Sequence, residues 1–428
     1  MADRVTVIGW DGSPLTAAAR SALSAATLVA GAAHHLALPE VPPGAERIRL
    51  GSVDLAARRI AGHRGSAVVI ADGDPGFFGV VRTLRAPEHG LEVEVVPAVS
   101  SVAAAFARAG MPWDDARIVV AHQRTLRRAV NVCRSHPKVA VLTSPGAGPA
   151  ELALLLDGVH RTFVICEALG TDREQVSVLT SDKAADHAWR DPNVVIVIGG
   201  STTGQGSGWL MGHETPAVRG WALPAADDEE YGQGGATGTR SGTGTGKGSG
   251  SDAGTARRAG NGATPTLRAA QLARLGPRVG DLVWDIGCGD GALSVEAARF
   301  GAAVIAVDAD PAACARADAA ARRSGVQLHV VAGRAPHVLE RLPEPDVVRI
   351  GGGGAPVVTA CTDRRPERIV THASTRDEAE ALGAALSDGG YTLECALLQS
   401  VDLDPGDWTE RERSVVFLLS GRRIDRAP

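Results

Sequence analysis

Short apolar runs alternate with glycine-rich and polar turns along most of the chain, and the runs have the length of strands. Val5 to Ile8 stops at once in GWDGSPLT, which predicts a strand entering a Gly-containing turn. Ser21 to Ala30 predicts a helix. The stretch SAVVIADGDPGFFGVVRTL predicts a buried strand at Ala67 to Ala71, a tight loop around Asp72 to Gly76 and a helix from about Phe78. A strand at Leu91 to Val96, the stop VPAVSS and a helix carrying Val102 to Arg108 follow. This alternation predicts a parallel α/β sheet, whose ligands gather outside the carboxyl ends of the strands, where GWDG, DGDPG and PAVSS lie.

A second α/β set begins near Met111. It has strand candidates at Ile118 to Ala121, Val139 to Leu142, Phe163 to Glu167 and Val194 to Ile198, and a helix between Gly148 and Leu156. The two sets predict two lobes of one domain over residues 1–225. From Gly232 to Gly262 the chain is Gly, Ser, Thr and Ala with hardly any large apolar residue, so it cannot bury enough surface to repay ordering. Residues 226–262 are therefore expected to be a flexible linker; about thirty such residues have a root-mean-square span of roughly 30 Å.

Residues 263–428 resume the alternation. Leu267 to Leu275 predicts a helix, and LVWDIGCGDGALSVEAAR, Leu282 to Arg299, predicts a buried strand, a glycine turn and a helix from Ala292. Further strands are expected at Val304 to Asp308, Leu328 to Ala332, Val347 to Ile350, Arg368 to His372, Thr392 to Leu398 and Val415 to Ser420. They predict a mostly parallel, Rossmann-like sheet.

Composition changes this picture little. At 428 residues the chain exceeds one ordinary core and suggests two or three domains. A formal charge of −5 argues against nucleic acid as a partner, so an anionic substrate must be met by local basic groups. No run approaches a membrane span, and MADRVTVIGW enters a strand pattern without an apolar signal region, so a cytoplasmic protein is expected. The cysteines at 133, 166, 288, 314, 361 and 395 lack metal-type spacing and are expected to be reduced, packed thiols, with no metal site.

The chemistry concentrates after Trp284. Gly287, Gly289 and Gly291 let the backbone turn and approach a ligand, a small residue suffices at Cys288, and the spacing also fits a relaxed dinucleotide fingerprint. Asp285 and Asp290 would oppose a pyrophosphate but suit the cationic amino group and sulfonium of S-adenosylmethionine. Asp308, ending the next strand, is placed to accept hydrogen bonds from ribose hydroxyls.

Several stretches carry a more specific resemblance: VTVIGWDGSPLT, ADGDPGFFG, VPAVSSVAAAFARAGMPWDDA, LTSPGAGPAELALLL and CEALGTDREQV in the first half, then LRAAQLARLGPRVGDLVWDIGCGDGALSVEAARFGAAVIAVDADP and DVVRIGGGG. The first half resembles the tetrapyrrole methylase family. In order, the whole chain resembles the fused methyltransferase–decarboxylases of corrin-ring biosynthesis. The resemblance implies a two-lobed tetrapyrrole methylase fold followed by a seven-stranded class I methyltransferase fold, usually with an antiparallel final strand. It also implies two S-adenosylmethionine sites, a precorrin or corrinoid substrate and homo-oligomeric assembly. Methylation at C5 falls to the first half; methylation at C15 and decarboxylation of the C12 acetate fall to the second.

The first cofactor site is implied at Gly73, Asp74, Pro75, Ser100, Ser101, Leu169 and Gly170. The second is implied at Asp285, Gly287, Cys288, Gly289, Asp290, Gly291, Asp308 and Ala335, and substrate contacts at Gly9, Asp11, Gly12, His122, Arg124, Gly352 and Gly353. His35 also matches the family pattern. A substrate with many carboxylate arms calls for forked arginines. Candidates are Arg82, Arg85, Arg124, Arg127 and Arg128, then Arg349, Arg364, Arg365 and Arg368. The chain departs from the pattern at ATPTLR, where relatives carry Thr-Lys-x-Glu-Val-Arg and only Arg268 is kept, and at Asp72, which replaces a serine. No catalytic acid or base is identified. A dinucleotide oxidoreductase using the same glycine loop, and a fusion whose second half only binds cofactor, remain as alternatives.

Overall fold

The computed structural model describes residues 4–199 and 264–424. The expected linker, residues 226–262, lies outside the described residues. Two compact units divide the described chain, and each is considered by itself.

The first unit holds two five-stranded sheets. Strands β1 (Val5–Trp10), β2 (Leu28–Gly31), β3 (Glu46–Arg49), β4 (Ala67–Asp72) and β5 (Val93–Val96) run in the order β3-β2-β4-β1-β5, and every pairing is parallel. Ile8, Leu23, Val29 and Ile70 pack one face, and Val7, Leu28, Ala57 and Val69 the other. The expected helix at Ser21 to Ala30 is corrected: the helix is Ala17–Ser24, capped by Thr16, and Leu28–Gly31 is a fully buried strand. Its Ala-rich lead-in hides the change of period.

The second sheet comprises β6 (Arg117–Val120), β7 (Lys138–Leu142), β8 (Thr162–Glu167), β9 (Gln175–Thr180) and β10 (Asn193–Ile198), in the order β6-β7-β10-β8-β9. It is mixed: β6 and β7 are parallel, whereas β10 lies antiparallel to both β7 and β8. A wholly apolar run such as VVIVI is buried on both faces and carries no signal of direction.

The second unit has one seven-stranded sheet. Its strands are β11 (Leu282–Ile286), β12 (Ala303–Asp308), β13 (His329–Ala332), β14 (Val347–Ile350), β15 (Arg368–Ala373), β16 (Tyr391–Leu403) and β17 (Glu410–Arg423), in the order β13-β12-β11-β14-β15-β17-β16. Only the final strand, β17, is reversed: it pairs antiparallel with both β15 and β16, as the resemblance implied. Trp284, Ile286, Val348 and Ile369 fill one face of the sheet, and Val283, Val304 and Val370 the other. All six cysteines are free, and only Cys395 is exposed. No helix among the described residues is long and apolar enough to cross a membrane.

Candidate active sites

In the first unit β4, β1 and β5 are adjacent and parallel, so their following loops emerge at one edge. The loops meet closely because four positions, Gly9, Gly12, Gly73 and Gly170, lack a side chain. A Cβ on Gly9 would lie 2.4 Å from the Gly73 carbonyl oxygen, and one on Gly73 (φ 64°) would lie 2.7 Å from the Ser101 amide nitrogen. Gly12 and Gly170 approach each other in the same way, since a Cβ on Gly12 would sit 1.9 Å from the Gly170 oxygen. Ser100 caps the helix Ser101–Ala109 by accepting from the Ala103 amide at 3.0 Å. Asp74 accepts from the Gly76 amide at 2.8 Å, and Asp11 accepts from Ser13 and, at 3.2 Å, from the Val99 amide. Burial raises the Asp11 carboxyl, but these hydrogen bonds prevail and hold it below its usual range.

Together these loops wall a cavity of about 650 Å³. Asp11, Gly12, Gly73, Asp74, Pro75, Ser100, Ser101 and Leu169 all line it, with Leu142, Thr143 and Cys166 from the second sheet. Burial pushes the Cys166 thiol up to about 11, so it is not a thiolate at neutral pH.

Other expected residues are elsewhere. His122 and Arg124 do not line the cavity; the His122 amide donates to Thr125 Oγ1 at 3.1 Å, and Arg124 is exposed. Arg82, Arg127 and Arg128 are exposed, and Arg85 donates to the Val93 carbonyl at 3.0 Å. The arginines that do line the cavity are Arg173 and Arg190, which sequence reasoning missed. Arg173 lies in the quoted stretch CEALGTDREQV, four residues beyond Leu169, and that proximity was the available signal.

Also missed was a cluster at the cavity wall. Asp72 Oδ1 lies 2.8 Å from His34 Nε2 and 3.0 Å from His35 Nε2. Burial raises the Asp72 carboxyl, yet the two histidines hold it well below the usual carboxylate range.

The second unit builds its site on the order β12-β11-β14, which brings the loops after Ile286, Asp308 and Ile350 to one edge. Gly287 and Cys288 both donate their amides to the Val307 carbonyl, at 2.7 and 3.1 Å. Gly287, Gly289 and Gly291 have φ of 71°, 61° and 80°, a region that favours glycine. A Cβ on Gly291 would lie 2.6 Å from Ala317 Cβ, whereas one on Gly289 would meet nothing within 4 Å. The loop is thus packed at its end and open at its tip. Asp308 accepts from the Gly289 and Asp310 amides, both at 2.9 Å, and Asp290 from the Ala292 amide at 3.1 Å. Gly352 and Gly353 are exposed at the same edge, and Ala335 is half-buried against the core.

Asp285 does not face the loop's open side. Its carboxylate is fully buried, accepts from Ser294 Oγ at 2.6 Å and pairs with Arg349 Nη1 at 3.0 Å. Arg349 also donates to the Gly287 carbonyl at 2.9 Å. The expectation that Asp285 meets the cofactor and Arg349 the substrate is therefore corrected, because each neutralises the other beneath the loop. Cys288 is buried, and burial beside Asp285 pushes its thiol far up. Arg364 donates to Glu344 and to the Leu339 carbonyl, and Arg365 and Arg368 lie at or before the start of β15, the opposite edge from the glycine loops.

A family model described as "Tetrapyrrole (Corrin/Porphyrin) Methylases" matches residues 10–185, and one described as "Precorrin methyltransferase domain" matches residues 258–402. The chain is 32% identical, over 86% of its length and 84% of the relative's, to the precorrin-6Y C(5,15)-methyltransferase [decarboxylating] of Sinorhizobium sp.. It is 34% identical over 43% of its length to a cobalt-precorrin-7 C(5)-methyltransferase of Salmonella typhimurium, covering 92% of that protein. A probable cobalt-precorrin-6B C(15)-methyltransferase (decarboxylating) of Pyrobaculum calidifontis is 37% identical over 27% of this chain and 67% of its own. The two shorter relatives each carry one of the two methylations named together in the first.

Proposed function

The chain belongs to the precorrin-6Y C5,15-methyltransferase (decarboxylating) family, and from that premise we propose that it carries two separate S-adenosylmethionine sites. It is a methyltransferase of corrin biosynthesis that methylates C5 and C15 of its precorrin and decarboxylates the C12 acetate. The observation that carries the two-site reading is the pair of glycine-lined cradles at the carboxyl edges of two different parallel sheets.

Residues 1–225 are assigned the C5 reaction and residues 263–428 the C15 reaction and decarboxylation, with 226–262 as linker. The residues present fit the cofactor at both places. In the first unit, Gly73 to Pro75, Ser100, Ser101, Leu169 and Gly170 would hold it, since the close glycine contacts leave bare backbone at the cavity wall. In the second, Gly287, Gly289, Gly291 and Asp308 would, because Gly289 opens on free space beside a carboxylate that suits ribose hydroxyls. When bound, S-adenosylmethionine supplies an electrophilic methyl group on a sulfonium.

The protein's task is then mainly alignment, because an electron-rich meso carbon of a reduced tetrapyrrole is already a nucleophile. Arg173 and Arg190, at the wall of the first unit's cavity, would take carboxylate arms of the macrocycle. Glycines 352 and 353 would let the ring approach the second cradle closely. The assembly is assigned as a homo-oligomer and the compartment as the cytoplasm.

The test is mass spectrometry of the tetrapyrrole after incubating the full chain with S-adenosylmethionine and metal-free precorrin-6B, in parallel with its cobalt form. A gain of two methyl groups with loss of one carbon dioxide is expected. One methyl group without decarboxylation would leave the second cradle inactive, and turnover of the cobalt form alone would reassign the substrate.

A further inference from the structure

Three ionisable side chains at the wall of the first unit's cavity have no role in the alignment chemistry described above. They are His34 and His35, on the short helix Ala33–Leu36, and Asp72 at the end of β4. Their ligand-type atoms lie within 4.8 Å of one another, which would suit a metal ion. The hydrogen bonds argue otherwise. His35 Nδ1 accepts the Ala32 amide at 3.2 Å, so in the neutral ring the proton is on Nε2, and Nε2 gives it to Asp72 at 3.0 Å. A ring nitrogen that carries a proton has no lone pair for a metal.

The same logic assigns His34. An ionised Asp72 only accepts hydrogen bonds, so His34 Nε2, at 2.8 Å, is also a donor, and the lone pair of the neutral ring is left on Nδ1. That nitrogen makes no hydrogen bond among the described residues. The His34 side chain is 40% exposed and lines the cavity, whereas that of His35 is 2% exposed. Trp10 lies against both rings, at centroid distances of 5.9 and 5.7 Å, and limits their rotation. His34 is thus a half-exposed imidazole on the cavity wall, held in one tautomer by a carboxylate, with its basic nitrogen left without a hydrogen bond among the described residues. That is the form of a general base backed by an acceptor.

The reaction assigned to this cavity requires such a group. A meso carbon that gains a methyl forms the new C–C bond with ring π electrons, while the S–C pair stays on sulfur. The carbon then still bears its hydrogen, and the ring has lost conjugation and gained positive charge. Breaking that C–H bond returns its electron pair to the ring, and the proton must go to a base.

We propose that His34, oriented by Asp72, is the base that takes this proton in the first unit, and that His35 is a positioning residue for Asp72. Nδ1 accepts the proton, the Asp72 carboxylate balances the imidazolium, and solvent resets the pair after product leaves. The inference rests on the assignment of C5 methylation to this cavity.

The test uses the full chain with methyl-labelled S-adenosylmethionine and precorrin-6B, with the position of the label read by NMR. Wild-type protein is measured first; if it labels no C5 position on either the metal-free or the cobalt ring, the assignment of the cavity fails before the base is in question. With wild type active, His34→Gln is expected to lower kcat for C5 labelling by at least about 10²-fold. Its Kd for S-adenosylmethionine and its melting temperature should stay close to wild type, and C15 labelling should persist. Asp72→Asn, which frees the tautomer, should lower kcat by a smaller factor. A kcat within about threefold of wild type in His34→Gln would overturn the proposal. So would a weakening of S-adenosylmethionine binding that matches the loss of rate, since His34 would then be a cofactor contact. A bound metal ion present in wild type and lost in both variants would replace the base with a metal site.

Discussion

The two cradles start from the same device and differ in what surrounds it. Each uses the carboxyl ends of adjacent parallel strands and glycines that take positive φ or a close contact. In the first unit the loops are closed over a cavity of about 650 Å³ by a second sheet, with carboxylates near the surface stapling backbone amides. In the second, the loop tip is open at one sheet edge, and the charge lies beneath it as the Asp285–Arg349 pair. The lesson is that an acidic residue in a glycine loop does not reveal whether it faces a ligand or supports the loop from below. Asp285 and Asp308 lie at the carboxyl ends of neighbouring strands, Asp285 one residue before the end of β11 and Asp308 at the end of β12, yet only Asp308 reaches the loop tip.

The sharpest way to separate the cradles is Gly289→Val. A β-branched residue at φ 61° is strained, and its side chain would occupy the open tip. C15 methylation and decarboxylation should disappear from the product mass, while C5 labelling continues on a suitably methylated substrate. Loss of both activities would contradict independent sites.

Arg349→Ala tests the buried support. It strands the fully buried Asp285 carboxylate, and breaking such a pair costs about 3–5 kcal/mol. Thermal unfolding should show the second unit melting well below its wild-type temperature, with the transition of the first unchanged.

Acid should also part the units. Burial, and then the nearby Arg349 charge, depress His372 to about 4, and the Gln271 amide lies 3.2 Å from its Nδ1. Because its folded value lies below the usual histidine value of about 6.5, the unfolded chain binds more protons between the two. The second unit should therefore lose stability as pH falls from about 6.5 to about 4, by at most roughly 1.4 kcal/mol per pH unit. Below that window the folded ring is also protonated, and the loss from this group stops. His372→Asn should flatten the slope. Asp72 and Asp11 of the first unit act with the same sign but in a lower window: their folded values are lowered, so their contribution is intact above the usual carboxylate value and fades only as pH falls below it. Chemical denaturation across pH, followed separately for each unit, checks both.

The smallest effect is expected from thiol chemistry. Cys395 is exposed, whereas burial raises the Cys166 and Cys288 thiols, so a maleimide at neutral pH should label Cys395 first and leave activity nearly unchanged.

Much of this architecture was legible because its strands are fully buried runs bounded by glycine or aspartate. Strands β11, β12 and β14 and the helix start at Ala292 fall within a residue of where periodicity set them. The strands that escaped are the short buried run Leu28–Gly31, behind its Ala-rich lead-in, and two edges: Glu46–Arg49 is largely charged, and Gln175–Thr180 exposes Val176 and Val178, so neither carries a buried apolar run. In the first cradle the loops were legible and their partners were not. The His34–Asp72 contact joins residues 38 positions apart, on β4 and on a helix after the missed β2. In the second, Asp285 and Arg349 are direct partners in the β11–β14 register, so pairing the strands before assigning roles would have exposed the internal ion pair.

The count of S-adenosylmethionine molecules bound per chain tests the two-site account most directly. Equilibrium dialysis of the full chain should give two per chain, falling to one in Gly289→Val and to one in Gly12→Val, whose added Cβ would collide with the Gly170 backbone. One molecule per wild-type chain, or loss of all binding from either single substitution, would contradict it.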